Sequence, residues 1–119
     1  MKKYIIDLRV VSLQHFNDKY VLLKLSSDEK LPAMLPGQFV EVRAVTLNCV
    51  LPLGNGFTMP KTPEDKWLLI GGGVGIAPLL YFGQEIVRMG AKPTFLLGAR
   101  SESDLLELEE FRKLGQVLI

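Results

Sequence analysis

Cysteine is nearly missing from this sequence. Cys49 stands alone, which excludes an internal disulfide and any metal or iron–sulfur site built from the chain's own cysteines. It sits in an apolar run, where a buried and inert thiol is the expectation. Such sparing use suits a reducing cytoplasm. Histidine is as scarce. His15 lies in a polar, turn-like stretch with nothing nearby to complete a catalytic constellation, so it reads as a solvated loop residue. No sign of charge dominates either. Fourteen basic and thirteen acidic residues leave a net charge of +1, which argues against nucleic acid and an anionic membrane surface as partners. Long apolar runs are missing too. Residues 67–83 carry no charge, but a glycine cluster and Pro78 interrupt them, as a soluble βα unit requires and a membrane span does not. Asp7 and Arg9 break any signal-peptide core near the start. There is no internal repeat and no low-complexity segment. What remains is a 119-residue chain, 48% hydrophobic and 23% charged, of a size for one ordinary domain or two small ones.

The most informative stretch is Trp67-Leu-Leu-Ile70, Gly71-Gly-Gly-Val-Gly-Ile-Ala-Pro78, Leu79-Leu80. An apolar run too short for a helix passes into a glycine-rich turn, and proline then stands where a helix begins. A pyrophosphate must approach backbone N–H groups closely, and side chains at the turn would block it. The helix that follows aims unpaired N–H groups and a partial positive charge at the phosphates. Pro78 fits the first helical turn, where its missing N–H costs nothing. Ile76 stands where the Rossmann fingerprint needs its last glycine, so the spacing reads Gly71-x-Gly73-x-Gly75-x-x-Pro78. The bland alternative is a tight strand-to-helix turn with no ligand.

Taken in order, residues 3–13 read as a first strand and 15–19 as a polar turn. Residues 20–26 alternate as a strand. A loop with two prolines follows over 27–36. Pro36-Gly37 marks a turn, and 38–43 form the third strand of an antiparallel sheet. A joint at Ala44-Val45 leads to another strand over 46–51. Asn55-Gly56 is a hairpin signal whose plain reading is a turn. A polar linker with Pro60 and Pro63 places the domain boundary, giving domains 1–59 and 60–119. Leu79, Phe82, Gly83, Ile86 and Met89 recur at helical spacing and should pack on a sheet, with Gly90 ending the helix. Residues 93–98 form the next strand, parallel to the first of this half. Ser101 and Asp104 have capping-box spacing for a helix carrying Leu105, Leu108 and Phe111, ended by Gly115. Residues 117–119 start a third strand. Glu107, Glu109 and Glu110 read as a solvated helix face. The fold class is therefore an α+β/α/β composite. An N-terminal antiparallel partial barrel precedes an incomplete parallel-sheet nucleotide-binding βαβαβ unit. Ligands in open α/β sheets bind beyond the carboxyl ends of strands, so the turns at 71–75 and 98–101 should share one edge. There Arg100 is either a partner for ribose or phosphate or a surface charge.

Leu35-Pro-Gly-Gln-Phe-Val-Glu-Val-Arg43, Pro52-Leu-Gly-Asn-Gly-Phe57 and Gly71-Gly-Gly-Val-Gly-Ile-Ala-Pro-Leu79 together resemble one family, with support from Phe95-Leu-Leu-Gly-Ala-Arg100 and Leu105-Leu-Glu-Leu-Glu-Glu-Phe111. It is the electron transfer subunit of bacterial dihydroorotate dehydrogenase, in the ferredoxin reductase superfamily. The resemblance implies a flavin-binding barrel, a nicotinamide-binding domain and a cysteine-rich tail. NADH reduces FAD, an iron–sulfur cluster relays single electrons, and a partner catalytic subunit carries out the orotate chemistry of pyrimidine biosynthesis. By motif, Gly72, Gly73, Val74 and Gly75, with Ile76 and Pro78, would hold the dinucleotide pyrophosphate. Gly98, Ala99 and Arg100 would lie along its ribose, and Asn55 and Gly56 near the domain junction. The Arg-Pro-x-Ser flavin motif and its Gly-Thr partner are missing after Arg43, and the cluster cysteines are missing altogether. The chain then reads as an internally deleted, C-terminally shortened member, which puts FAD in doubt and rules out an iron–sulfur cluster from this chain alone. A barrel short of strands exposes sheet edges, so association of copies is expected. The alternatives to electron transfer are an NAD(H)-binding fragment that transfers nothing and a non-catalytic module that binds a partner subunit.

Overall fold

The computed structural model describes residues 3–43 and 48–119. The contacts divide the chain into two compact units, Met1–Asn55 and Gly56–Ile119. Antiparallel sheets occupy the first and a parallel sheet with helices the second.

In the first unit β1 (Tyr4–Asp7), β4 (Phe39–Arg43) and β5 (Asn48–Leu53) form an antiparallel sheet in the order β1-β5-β4. Among the described residues, β2 (Arg9–His15) and β3 (Val21–Ser26) pair only with each other. The single first strand expected over 3–13 is thus two strands in two sheets. The break falls at Leu8, which packs with Met34 against buried Ile6 and Leu51. His15 ends β2, exposed and in register with Val21, where a loop residue was expected. In the turn after it, the Asn17 side-chain oxygen accepts the N–H groups of Lys19 and Tyr20 at 2.8 and 3.0 Å. The Pro36-Gly37 turn forms as the sequence predicts. Gln38 closes it by accepting the Leu35 N–H at 2.8 Å while donating to the Gly54 carbonyl at 3.3 Å. Strand β5 runs on through Pro52 and Leu53, and no hairpin forms at Asn55-Gly56. The backbone leaves the sheet there with no regular structure, because no strand follows to pair with β5. The joint at Ala44-Val45 and the side chain of Cys49 lie outside the described residues.

The second unit opens with a loop held by Asp65. Its carboxylate accepts the N–H groups of Lys61 and Thr62 at 2.8 and 3.2 Å and the Thr62 hydroxyl at 3.2 Å. Those donors, the Lys61 N–H first, hold the carboxyl below its usual range. Then come β6 (Lys66–Gly72), a 3-10 turn at Gly73–Ile76, α1 (Ala77–Arg88) and β7 (Lys92–Gly98). A second 3-10 turn at Glu102–Asp104 precedes α2 (Leu108–Leu114) and β8 (Gln116–Leu118). The three strands are parallel in the order β6-β7-β8.

Alternation along the strands turns Leu69, Phe95 and Leu97 toward the helices, where Leu79, Phe82 and Ile86 of α1 and Phe111 of α2 meet them. Met89 does not join this core. It caps α1 and stays 39% exposed. The helix closes in a Schellman motif. Gly90, at φ +90°, donates its N–H to the Val87 carbonyl, and Ala91 donates to Ile86. The helix expected from Ser101 onward is also corrected. The Ser101 hydroxyl donates to the Asp104 carboxylate at 3.0 Å, so neither side chain is left to cap the backbone. A short 3-10 turn forms, and α2 starts only at Leu108, after Glu107 in the left-handed region at φ +59°. Its exposed face is charged as expected, Glu110 pairing with Lys113 at 3.0 Å and Glu109 with Arg112.

Among the described residues of this unit, the helices pack on one face of the sheet. On the other, Ile70, Leu96 and Leu118 stand side by side in register, with Leu68 beside them, 38–65% exposed.

Candidate functional site

The site forms where β6 and β7 end. Gly72 and Gly98 are register partners, and a Cβ on Gly72 would lie 3.8 Å from the Gly98 carbonyl oxygen. The turn after β6 and the turn after β7 therefore share one edge, and the structure brings together Gly72, Gly73, Val74, Gly75, Gly98, Ala99 and Arg100. All seven are exposed, Val74 to 85%. Ile76 turns its side chain into the core at 5% exposure, so what it presents at the turn is backbone. Pro78 sits in the first turn of α1, as the missing N–H allows. Asn55 and Gly56 stand on either side of the division between the two units.

The glycines separate by cause. A Cβ on Gly71 would meet Leu79 Cδ1 at 2.7 Å and the Gly75 carbonyl oxygen at 2.9 Å, so packing inside the chain demands glycine there. Sequence reading gave Gly71 no such role, because nothing in the sequence signals a contact four and eight residues ahead. Gly73 has φ +56°, a conformation that side chains disfavour. Gly75 and Gly98 have neither reason. Their φ values lie outside the left-handed region, and a Cβ on either would meet nothing within 4 Å. Open space lies over both positions, and a tight turn without a ligand leaves these two glycines unexplained.

Residues 69–118 match the family model of the oxidoreductase NAD-binding domain. A dihydroorotate dehydrogenase B (NAD(+)) electron transfer subunit of Listeria welshimeri is 41% identical over 75 residues, 62% of this chain and 30% of that protein. Those of Shouchella clausii and Geobacillus kaustophilus are 41% and 35% identical over 69 and 72 residues. The chain is similar to part of these subunits. It spans about 30% of the length of the L. welshimeri relative and less of the other two. Among solved structures, an NADH-dependent reduced ferredoxin-NADP oxidoreductase aligns with a TM-score of 0.68 at 20% identity, over 96% of this chain and 55% of that one. Full-length CYP116B46 of Tepidiphilus thermophilus aligns with a TM-score of 0.67 at 14% identity, over 95% and 22%. At those identities the likeness is one of fold.

The glycine edge fits a nicotinamide dinucleotide. For FAD, which the family resemblance implies, the described strands of the first unit fall into two separate sheets, the Arg-Pro-x-Ser flavin motif is missing after Arg43, and no polar or charged residue is buried among the described residues. Nor, among those residues, does any cluster of three His, Cys, Asp or Glu side chains offer a metal site. Among the described residues, no helix is long and apolar enough to cross a membrane. A depression of about 480 Å³ lies at the opposite end of the sheet, between Lys92, Pro93 and Gln116, away from the glycine turns. It is lined mostly by apolar side chains and takes no part in the site.

Proposed function

We propose that this chain holds a reduced nicotinamide dinucleotide, NADH, across the ends of β6 and β7, as the nucleotide-binding part of an electron transfer subunit. Its partner is a dihydroorotate dehydrogenase catalytic subunit, and its setting is pyrimidine biosynthesis in the cytoplasm. The observation that carries the reading is the pair Gly75 and Gly98, which have open space above them and no conformational need to be glycine. Backbone N–H groups of the turn and the start of α1 would donate to the pyrophosphate. A second reading, binding without electron transfer, is favoured by one observation: the Arg-Pro-x-Ser flavin motif is missing after Arg43.

One experiment tests both. The purified chain is incubated with FAD, freed of unbound flavin by gel filtration, scanned in the visible, and titrated with NADH. A colourless chain that binds NADH saturably is the expected result. Gly75→Val should weaken that binding at least about tenfold at a little-changed melting temperature, since the added Cβ would meet nothing in the protein within 4 Å and the side chain would stand in ligand space. An unchanged affinity would sink the site. Retained flavin absorbance would overturn the second reading and return the flavin step to this chain.

The proposal extends to association of copies. Residues Trp67-Leu-Leu-Ile-Gly71 put no charge or proline in the middle of β6, whose outer edge has no partner strand among the described residues. Such edges recruit other strands. Sedimentation should show a mass that rises with concentration, and a constant monomer mass would count against it.

A further inference from the structure

The face of the parallel sheet turned away from the helices has two chemically distinct ends. Alternation sends Lys66, Leu68 and Ile70 of β6 to that side, with Lys92 and Leu96 of β7. Register sets Ile70 beside Leu96 and Leu96 beside Leu118. At the other end it sets Lys66 beside Lys92. The carboxyl end of the face is thus apolar and its amino end basic. Both lysines are exposed, and neither has an ion-pair partner among the described residues. Like charges held side by side repel, and a carboxylate brought between them converts that cost into attraction. The apolar row is likewise a surface that parallel sheets bury, because helices ordinarily cover both faces.

Size selects the occupant. The outer strands lie about 10 Å apart, and four residues of strand span about 13 Å. That is the footprint of one α-helix, about 10 Å across. It falls far short of the roughly 800 Å² per partner that a stable contact between two copies takes. Two lysines also hold weakly to an anionic membrane, at about 1 kcal/mol each.

We propose that this face is the docking site for an amphipathic helix of another protein. Its apolar stripe lies on Ile70, Leu96 and Leu118, and its glutamate or aspartate side chains meet Lys66 and Lys92. The stripe supplies the affinity, and the carboxylates fix the way the helix lies. The inference does not rest on the dinucleotide site, which occupies the opposite, carboxyl ends of the strands.

The test is titration of the full chain with three fluorescein-labelled helical peptides of about 14 residues. The first carries leucines at i, i+3, i+4 and i+7 flanked by glutamates. The second replaces each glutamate by lysine, and the third replaces each leucine by glutamine. Anisotropy should show saturable binding of the acidic peptide, at least about tenfold weaker binding of the basic one, and none of the third. Lys92→Glu should reverse the order of the acidic and basic peptides. Ile70→Asp should abolish binding of all three. Both positions are exposed, so circular dichroism should show both variants folded. Failure of the acidic peptide to bind overturns the inference. So does equal affinity for the two charged peptides, or an order that Lys92→Glu leaves unchanged. A dimer in sedimentation that Ile70→Asp dissociates, with no peptide bound, gives the face to a second copy and overturns it. Co-sedimentation with phosphatidylglycerol vesicles that the acidic peptide does not compete away gives it to a membrane and overturns it too.

Discussion

Adding one methyl group at Gly115 is expected to cost about 3 kcal/mol, at the upper end of ordinary overpacking. A Cβ there would sit 2.1 Å from the Pro93 carbonyl oxygen and 3.2 Å from its carbonyl carbon. Those are backbone atoms of the central strand, and no rotamer change relieves the clash. The expectation runs against the general rule. Gly115 has φ −179°, which alanine adopts readily, so alanine should otherwise stabilise by about 0.4–1 kcal/mol through the unfolded chain. The clash exceeds that gain and decides the sign. Gly115→Ala should lower the melting temperature of the second unit by about 10–20 °C. Thermal unfolding followed by circular dichroism checks it. An equal or higher melting temperature would mean that β8 can move off Pro93 at little cost.

Phe95→Ala should be as damaging or worse, at about 3–5 kcal/mol. Phe95 is fully buried, packs edge-on against Phe111 at 4.9 Å, and lies under Gly83 of α1. A unit of this length has roughly 3–10 kcal/mol of stability in total, so this single change brings it to the edge of unfolding. A second substitution tests the cause. A Cβ on Gly83 would meet Phe95 Cζ at 2.5 Å, so Gly83→Ala alone should destabilise despite alanine's helix propensity. With Phe95 already alanine, that obstacle is gone and Gly83→Ala should become neutral or stabilising. Denaturant melts of the two single variants and the double variant measure the coupling. Additive losses would show that Gly83 is glycine for another reason.

The second unit was legible in the sequence because its signals are local. The glycine turn, Pro78, the apolar spacing of Leu79, Phe82 and Ile86, and Gly90 each act within a few residues of their position. The first unit was less legible because antiparallel pairing is not local. The apolar pattern over 3–13 records which side chains share a face. It does not record that β1 finds β5 while β2 finds β3. Asn55-Gly56 carries the local chemistry of a hairpin but has no second strand to turn into. At Ser101 the capping residues were right in type, yet they bond each other. The same divide holds at the candidate site. Glycine positions were readable, whereas the reason for each glycine emerged only from what a Cβ would touch.

The two units differ sharply in what they bury. The first rests on Ile6 and Leu51, with Leu8 and Met34 beside them, and its β2–β3 ribbon is exposed along the whole of β2. The second holds nine buried residues in one cluster. Two bodies so unequal do not melt as one cooperative system, and opening of the first takes little free energy. Amide protons in residues 3–43 exchange with solvent at a rate set by that local opening, while those of β7 wait for global unfolding. A single transition recorded on this chain therefore reports residues 56–119 and passes over the rest.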